Sequence, residues 1–201
     1  MTEDLRFCDM RLRIATGDDF NKLSHLFRSE SARLSQLAPE IYRERAFDEP
    51  LFIAICEHKS SDILIAEDEL GTPLGKAIVW ATDTPKYPNI ISRSIAYVTE
   101  LSANADVSGE EVLAFLLDRA DEWAGKHGCE VLELDVSVYD TDKLSLLRER
   151  GYSDSFVAVR RDVASCVEKL PEHRFANLNN AINFGGAKAE NEYFSPRMLE
   201  D

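Results

Sequence analysis

The sequence predicts an α/β chain, and three observations carry that expectation. In residues 96–103 (Ala-Tyr-Val-Thr-Glu-Leu-Ser-Ala) apolar groups alternate with small or polar ones, the period of a strand. From Glu110 onward the period lengthens, and Val112, Leu113, Leu116, Leu117, Ala120, Trp123 and Ala124 fall on one face of a helix. Upstream, two strand-like runs over residues 62–69 and 74–81 flank Gly71-Thr72-Pro73, the pattern of a hairpin. With 201 residues and a 44% hydrophobic fraction, the chain can build one well-packed domain plus appendages.

Taken in order, residues 10–14 alternate apolar and basic groups like an edge strand. Thr16-Gly17-Asp18-Asp19 supplies an N-cap and first-turn acids, and Phe20, Leu23, Leu26, Phe27 and Leu34 give the next helix its apolar face. Residues 40–47, bounded by Pro39 and Pro50, predict a short helix. Residues 51–56 are strand-like in composition. After the hairpin, Pro85-Lys86-Tyr87-Pro88 marks a loop. Residues 96–128 then run strand, bend, helix, which sets the first turn of the helix beside the carboxyl end of the strand, a natural anion site. Residues 130–136 read as another strand. A helix over residues 139–150 is capped by Asp140 or Thr141, and residues 156–159 form a last strand.

Past Val163 the composition shifts. Asn177, Asn179, Asn180 and Asn183 interleave with Phe175, Leu178, Ile182 and Phe184, then Gly185-Gly186 and a polar segment follow. The expected organisation is a short extension over residues 1–9, a domain over 10–163 and a C-terminal extension over 164–201. That extension reads either as a disordered tail or as an arm whose aromatics dock on this or a neighbouring subunit, which leaves a homodimer open.

Charge and composition narrow the classes. A net charge of −14 and a pI near 4.7 argue against general binding to nucleic acid or acidic lipid. No apolar run reaches the ~18 residues of a membrane span, and the start, Met1-Thr2-Glu3-Asp4-Leu5, lacks signal-peptide character. A cytoplasmic protein is expected. Cys8, Cys56, Cys129 and Cys166 have no paired spacing, and His25, His58, His127 and His173 are scattered, so no metal site or disulfide framework is expected.

The residues also resemble a known family. Leu101-Ser102-Ala103-Asn104-Ala105-Asp106 resembles the end of the fourth strand of the GNAT superfamily of acyl-CoA-dependent N-acyltransferases. The helix carrying Leu116-Leu117, Ala120, Trp123-Ala124 and Gly128 resembles its pyrophosphate-loop helix. Residues 130–136 look like its fifth strand, and Leu146-Leu147-Arg148-Glu149-Arg150-Gly151-Tyr152 like its closing helix with a Gly-aromatic exit. Gly75 also matches. The likeness spans residues 11–163 and implies a mixed, mostly antiparallel central sheet flanked by helices, with residues 51–56 helical. It further implies an acyl-CoA co-substrate, acetyl-CoA or another acyl-CoA, and transfer to a small-molecule or peptide amine.

Implied site residues follow from the matched positions. Glu100, at the carboxyl end of the central strand, corresponds to a general base, and the backbone of Leu101, Ser102 and Ala103 to the pantetheine contact. The CoA turn of the family, R/Q-x-x-G-x-G/A, falls on Ser108, Glu111 and Leu113, with Gly109 between and Val112 beside them. Ser108 to Glu111 instead reads as a capping box, S-x-x-E. A carboxylate ~4 Å from a phosphate charge costs about 4 kcal/mol at an effective dielectric near 20, against about 0.3–1 kcal/mol from the helix dipole. The general-acid tyrosine falls at Leu147 and the pantetheine-contacting asparagine at Asp140, which leaves Tyr139 as a substitute acid. Two functions emerge: an N-acyltransferase with an aberrant pyrophosphate loop, and a GNAT-folded binding or regulatory subunit that does not use CoA.

Overall fold

The computed structural model describes residues 10–84, 91–104 and 109–155. Its elements run β1 (Arg11–Ile14), a 3-10 turn (Gly17–Asp19), α1 (Phe20–Leu37), α2 (Glu49–Glu57), β2 (Ser61–Glu67), β3 (Pro73–Asp83), β4 (Ser94–Ala103), α3 (Gly109–Lys126), β5 (Val131–Leu134) and α4 (Thr141–Glu149). The strands form one sheet in the order β1-β2-β3-β4-β5. Every neighbouring pair is antiparallel except β4 and β5, which are parallel across the α3 crossover. The mixed, mostly antiparallel sheet flanked by helices is thus the one the resemblance implied.

Local chemistry accounts for the boundaries. Asp19 Oδ2 accepts from the Thr16 N–H at 2.8 Å, so the acids after Thr16 start a 3-10 turn that leads into α1. The hairpin turn needs Gly71, whose φ of 76° lies in the left-handed region that favours glycine. Asp140 caps α4 by accepting from the Lys143 N–H. Residues 51–56 lie inside α2, started by Asp48, whose side chain accepts from the Leu51 N–H, with Pro50 in the first turn.

One predicted helix is not there. Residues 42–48 are irregular. The Ile41 and Tyr42 N–H groups close on the Ala38 carbonyl. Ser31 Oγ donates to the Arg43 carbonyl and accepts from the Arg45 N–H, and Phe47 stacks on Phe27 with ring centroids 4.0 Å apart. Those tertiary contacts hold the segment irregular against its local helical preference.

Each face of the sheet buries one cluster. Leu64, Ala66, Ala77, Val79, Ala96, Val98 and Leu101 pack with Val112, Leu116, Leu117, Ala120 and Trp123 of α3 and Leu146 and Leu147 of α4. Ile63, Ile65 and Ile78 pack with Leu23, Leu26, Phe27 and Phe52 of α1 and α2. Gly75 lets α3 approach: a Cβ there would lie 2.5 Å from Val112 Cγ1 and 2.7 Å from the Ser102 carbonyl oxygen. Among the described residues no helix is long and apolar enough to cross a membrane. The chain divides into two units, Met1–Ser153 and Asp154–Asp201. The predicted strand over 156–159, the loop 85–88 and the C-terminal extension lie outside the described residues.

Candidate functional site

The site is made by a strand that changes partners midway. Between Val98 and Glu100 the β3–β4 register slips by one: Val79 faces Val98, Ile78 faces Glu100, and Thr99 is the extra residue of a bulge. On its other edge β4 pairs with β5 from Ile95–Val131 to Val98–Leu134 and no further. The two strands part at the bulge. Beyond it the Asn104 N–H reaches back to the Leu74 carbonyl of β3, so strand alternation turns the peptide groups of Leu101 and Ala103 toward the side β5 has left.

A cavity of about 600 Å³ fills that opening, a volume in the range of small-molecule sites. Its walls are Leu101, Ser102, Ala103 and Asn104 of β4 and its exit, Gly109, Glu110 and Leu113 of the first turns of α3, the α4 side from Asp140 to Glu149, and Glu30 and Arg33 of α1. Ser102 is 2% exposed, and its hydroxyl is buried behind that wall without a hydrogen-bond partner.

Four charged side chains form a connected cluster on the α1–α4 side. Arg33 forks onto Glu30 with two 2.8 Å bonds and reaches Asp140 at 2.6 Å. The Lys143 ammonium touches Glu30 at 3.1 Å and donates to the Leu101 carbonyl at 2.9 Å. Burial pushes the Glu30 and Asp140 carboxyls up, but Arg33 and Lys143 more than offset it and hold both below the usual carboxylate range. Glu110, Asp142 and Glu149 add three carboxylates to the lining and bring no further cation with them.

Glu100 lies elsewhere. Its carboxylate pairs with Lys76, a fully buried lysine whose ammonium sits 3.8 Å from the centroid of the Phe27 ring. The Glu100 side chain is 33% exposed, so its carboxylate bridges the core and solvent.

Of the residues singled out from sequence, the cavity brings together Leu101, Ser102, Ala103, Gly109, Leu113 and Asp140. Glu100 and Glu111 are not among its lining; Glu111 has one carboxylate oxygen buried and unpartnered. Val112 is fully buried in the core against the sheet. Tyr139 is 51% exposed and also outside the lining, so it is not placed to give a proton to a group in the cavity. Leu147 is buried in the core. Ser108, and with it the first half of the predicted capping box, lies outside the described residues.

Sequence reasoning missed Glu30, Arg33, Lys143 and Lys76. Three of them left a signal: Glu30 continues the apolar stripe of Leu23, Phe27 and Leu34, Lys143 stands one turn before Leu147, and Lys76 interrupts an apolar strand. Among the described residues no group of His, Cys, Asp and Glu could hold a metal ion. Burial raises the Cys56 thiol to about 11, which makes it a poor nucleophile.

No family model and no curated protein matches the sequence, but solved structures do match. A tetramutant of the BH1408 protein from Bacillus halodurans superposes with a TM-score of 0.71 at 17% identity, covering 76% of this chain and 99% of that one. An aminoglycoside N-acetyltransferase in complex with CoA gives 0.56 at 14% identity, over 77% and 95% of the two chains. The ribosomal-protein-alanine N-acetyltransferase from Brucella melitensis biovar Abortus 2308 gives 0.55 at 13%, over 77% and 99%. At these identities the likeness concerns architecture: the chain has the fold of the GNAT acetyltransferases.

Proposed function

We propose that this chain is an N-acyltransferase, moving an acyl group from a pantetheine-type thioester such as acetyl-CoA to a primary amine of a small molecule or peptide. The observation that carries this reading is the parting of β4 from β5 at Thr99, which leaves the Leu101 and Ala103 peptide groups beside a cavity of about 600 Å³. An extended, amide-bearing arm would pair along that edge much as an added strand does. An N–H fixed on the strand polarises a thioester carbonyl without having to reorganise.

The incoming ammonium must first lose a proton; Glu100 is outside the cavity lining, so its partly exposed carboxylate takes that proton only through a bridging water. Nitrogen then attacks the carbonyl, the C–N bond forms, the C–S bond breaks, and the second proton shed by nitrogen passes through water to the departing thiolate. With a thiol pKa near ~8.5 the thiolate leaves without a dedicated acid, consistent with Leu147 and Tyr139 standing away from the cavity.

The test incubates the full chain with acetyl-CoA or S-acetyl-pantetheine and a panel of primary amines, and weighs the products. A single acetyl addition is expected. Replacing Glu100 by Gln should slow it about 10²-fold. Because that change also strips Lys76 of its counterion, the pair Lys76→Met with Glu100→Gln serves as the fold-preserving version. Product from neither donor, whatever the amine, would overturn the reading.

A second reading, a binding or regulatory module that uses no CoA, is favoured by one specific feature: Lys143 holds the Leu101 carbonyl on the edge an arm would need. It predicts no thermal stabilisation by any thioester, whereas a ligand at a hundred times its Kd stabilises by about 2.7 kcal/mol.

A further inference from the structure

We propose that the donor this cavity selects is the neutral pantetheine arm of the thioester and that the site works against the nucleotide diphosphate rather than for it. This rests on the acyltransferase reading above and names its donor more narrowly. The cavity has two parts with different chemistry. Along β4 it offers the peptide edge of Leu101 and Ala103, polar groups that suit an amide. Toward α3 and α4 it offers Glu110, Asp142 and Glu149.

A diphosphate wants arginine, lysine or bare N–H groups, and the bare N–H groups in the lining belong to the first turn of α3, the turn that carries the Glu110 and Glu111 carboxylates. The two cations in the lining are already spent: Arg33 on Glu30 and Asp140, Lys143 on Glu30 and the Leu101 carbonyl. Five carboxylates against two cations leave the lining net negative, and a CoA diphosphate there meets like charge. The arm itself carries amides, a hydroxyl and a sulfur but no charge, so it loses nothing to that field. Lys143 needs only to hand the Leu101 carbonyl to an arm amide N–H and can keep Glu30.

The experiment titrates the full chain calorimetrically with CoA and, separately, with pantetheine, which lacks every phosphate. The expected result is that pantetheine binds at least as tightly as CoA. Added salt should tighten CoA and leave pantetheine alone, because screening relieves repulsion. The exposed triple variant Glu110→Gln, Asp142→Asn, Glu149→Gln should tighten CoA about tenfold without changing pantetheine. If CoA binds about tenfold or more tightly than pantetheine, and salt weakens it, the inference is overturned while the acyltransferase reading stands. If neither compound binds at millimolar concentration, both fall and the binding-module reading takes their place.

Discussion

Two four-member ion clusters sit at opposite ends of α1, built from the same parts to different effect. At the sheet edge Arg13 bonds Asp19 at 2.7 and 2.9 Å and Glu67 at 2.7 and 3.0 Å, while Lys22 bonds Glu67 and the Gly71 carbonyl. In the cavity Arg33 bonds Glu30 and Asp140, while Lys143 bonds Glu30 and the Leu101 carbonyl. Each has two carboxylates, an arginine fork and a lysine on a backbone oxygen. The forces on the carboxylates differ. At the edge the hydrogen bonds from Arg13 are the strongest influence on Asp19 and Glu67, ahead of burial. In the cavity burial is the strongest influence on Glu30 and Asp140, and the cations must overcome it. The edge cluster is a staple joining β1, the 3-10 turn, β2 and α1. The cavity cluster keeps desolvated charge where an apolar contact would be less costly, which fits a site rather than a strut.

The sharpest way to break that comparison is to remove the lysine from each. Lys143→Met should destabilise by about 3 kcal/mol, since it leaves Glu30 and Asp140 short of a cation, whereas Lys22→Met should cost under about 1 kcal/mol. Chemical denaturation of both variants checks it, and equal losses would erase the distinction. Next in size is Gly75→Ala, which tests the packing behind the cavity. Its Cβ meets the Ser102 backbone oxygen as well as Val112, so a loss of about 1–3 kcal/mol is expected, with Ser102 and its cavity wall displaced.

Acid should then separate the edge cluster from a variant lacking it. Arg13 hydrogen bonds chiefly lower Asp19 from its ordinary 3.8 to about 2. A carboxyl depressed in the folded state contributes stability above its unfolded pKa and loses it as pH falls through the folded one. Melting temperature should therefore drop between about pH 4 and pH 2, and Arg13→Gln should flatten the Asp19 part of that drop. The smallest effect expected is that of Tyr139→Phe on acetyl transfer: the side chain is exposed and off the cavity, so the rate should stay within about twofold, where loss of a true general acid costs 10²–10⁴.

Much of the architecture was legible because it is written in local periods. The strand and the helix within residues 96–128, the Gly71 hairpin and the Asp140 cap each rest on neighbours within a few residues. The helix expected over residues 40–47 failed because Ser31 and Phe27, far back in α1, tie that segment down in an irregular path. The site was legible only along its backbone half. Leu101, Ser102 and Ala103 follow from their place at the end of β4, but the partners that give the cavity its charge are distant in sequence. Lys143 meets Glu30 across 113 residues and Arg33 meets Asp140 across 107, and a charged residue on an amphipathic helix looks like solvent face until its neighbour is known. The bulge at Thr99, which makes the opening, has no mark in an alternating strand at all.

The central claim is that the open edge of β4 receives the thioester arm. The most direct measurement is the set of backbone amide shifts in the full chain as pantetheine or acetyl-CoA is added. The account predicts that Leu101, Ser102, Ala103 and Gly109 move first and saturate together, with the Lys143 side chain leaving the Leu101 carbonyl. Saturable shifts confined to other surfaces, with these four amides unmoved, would contradict it.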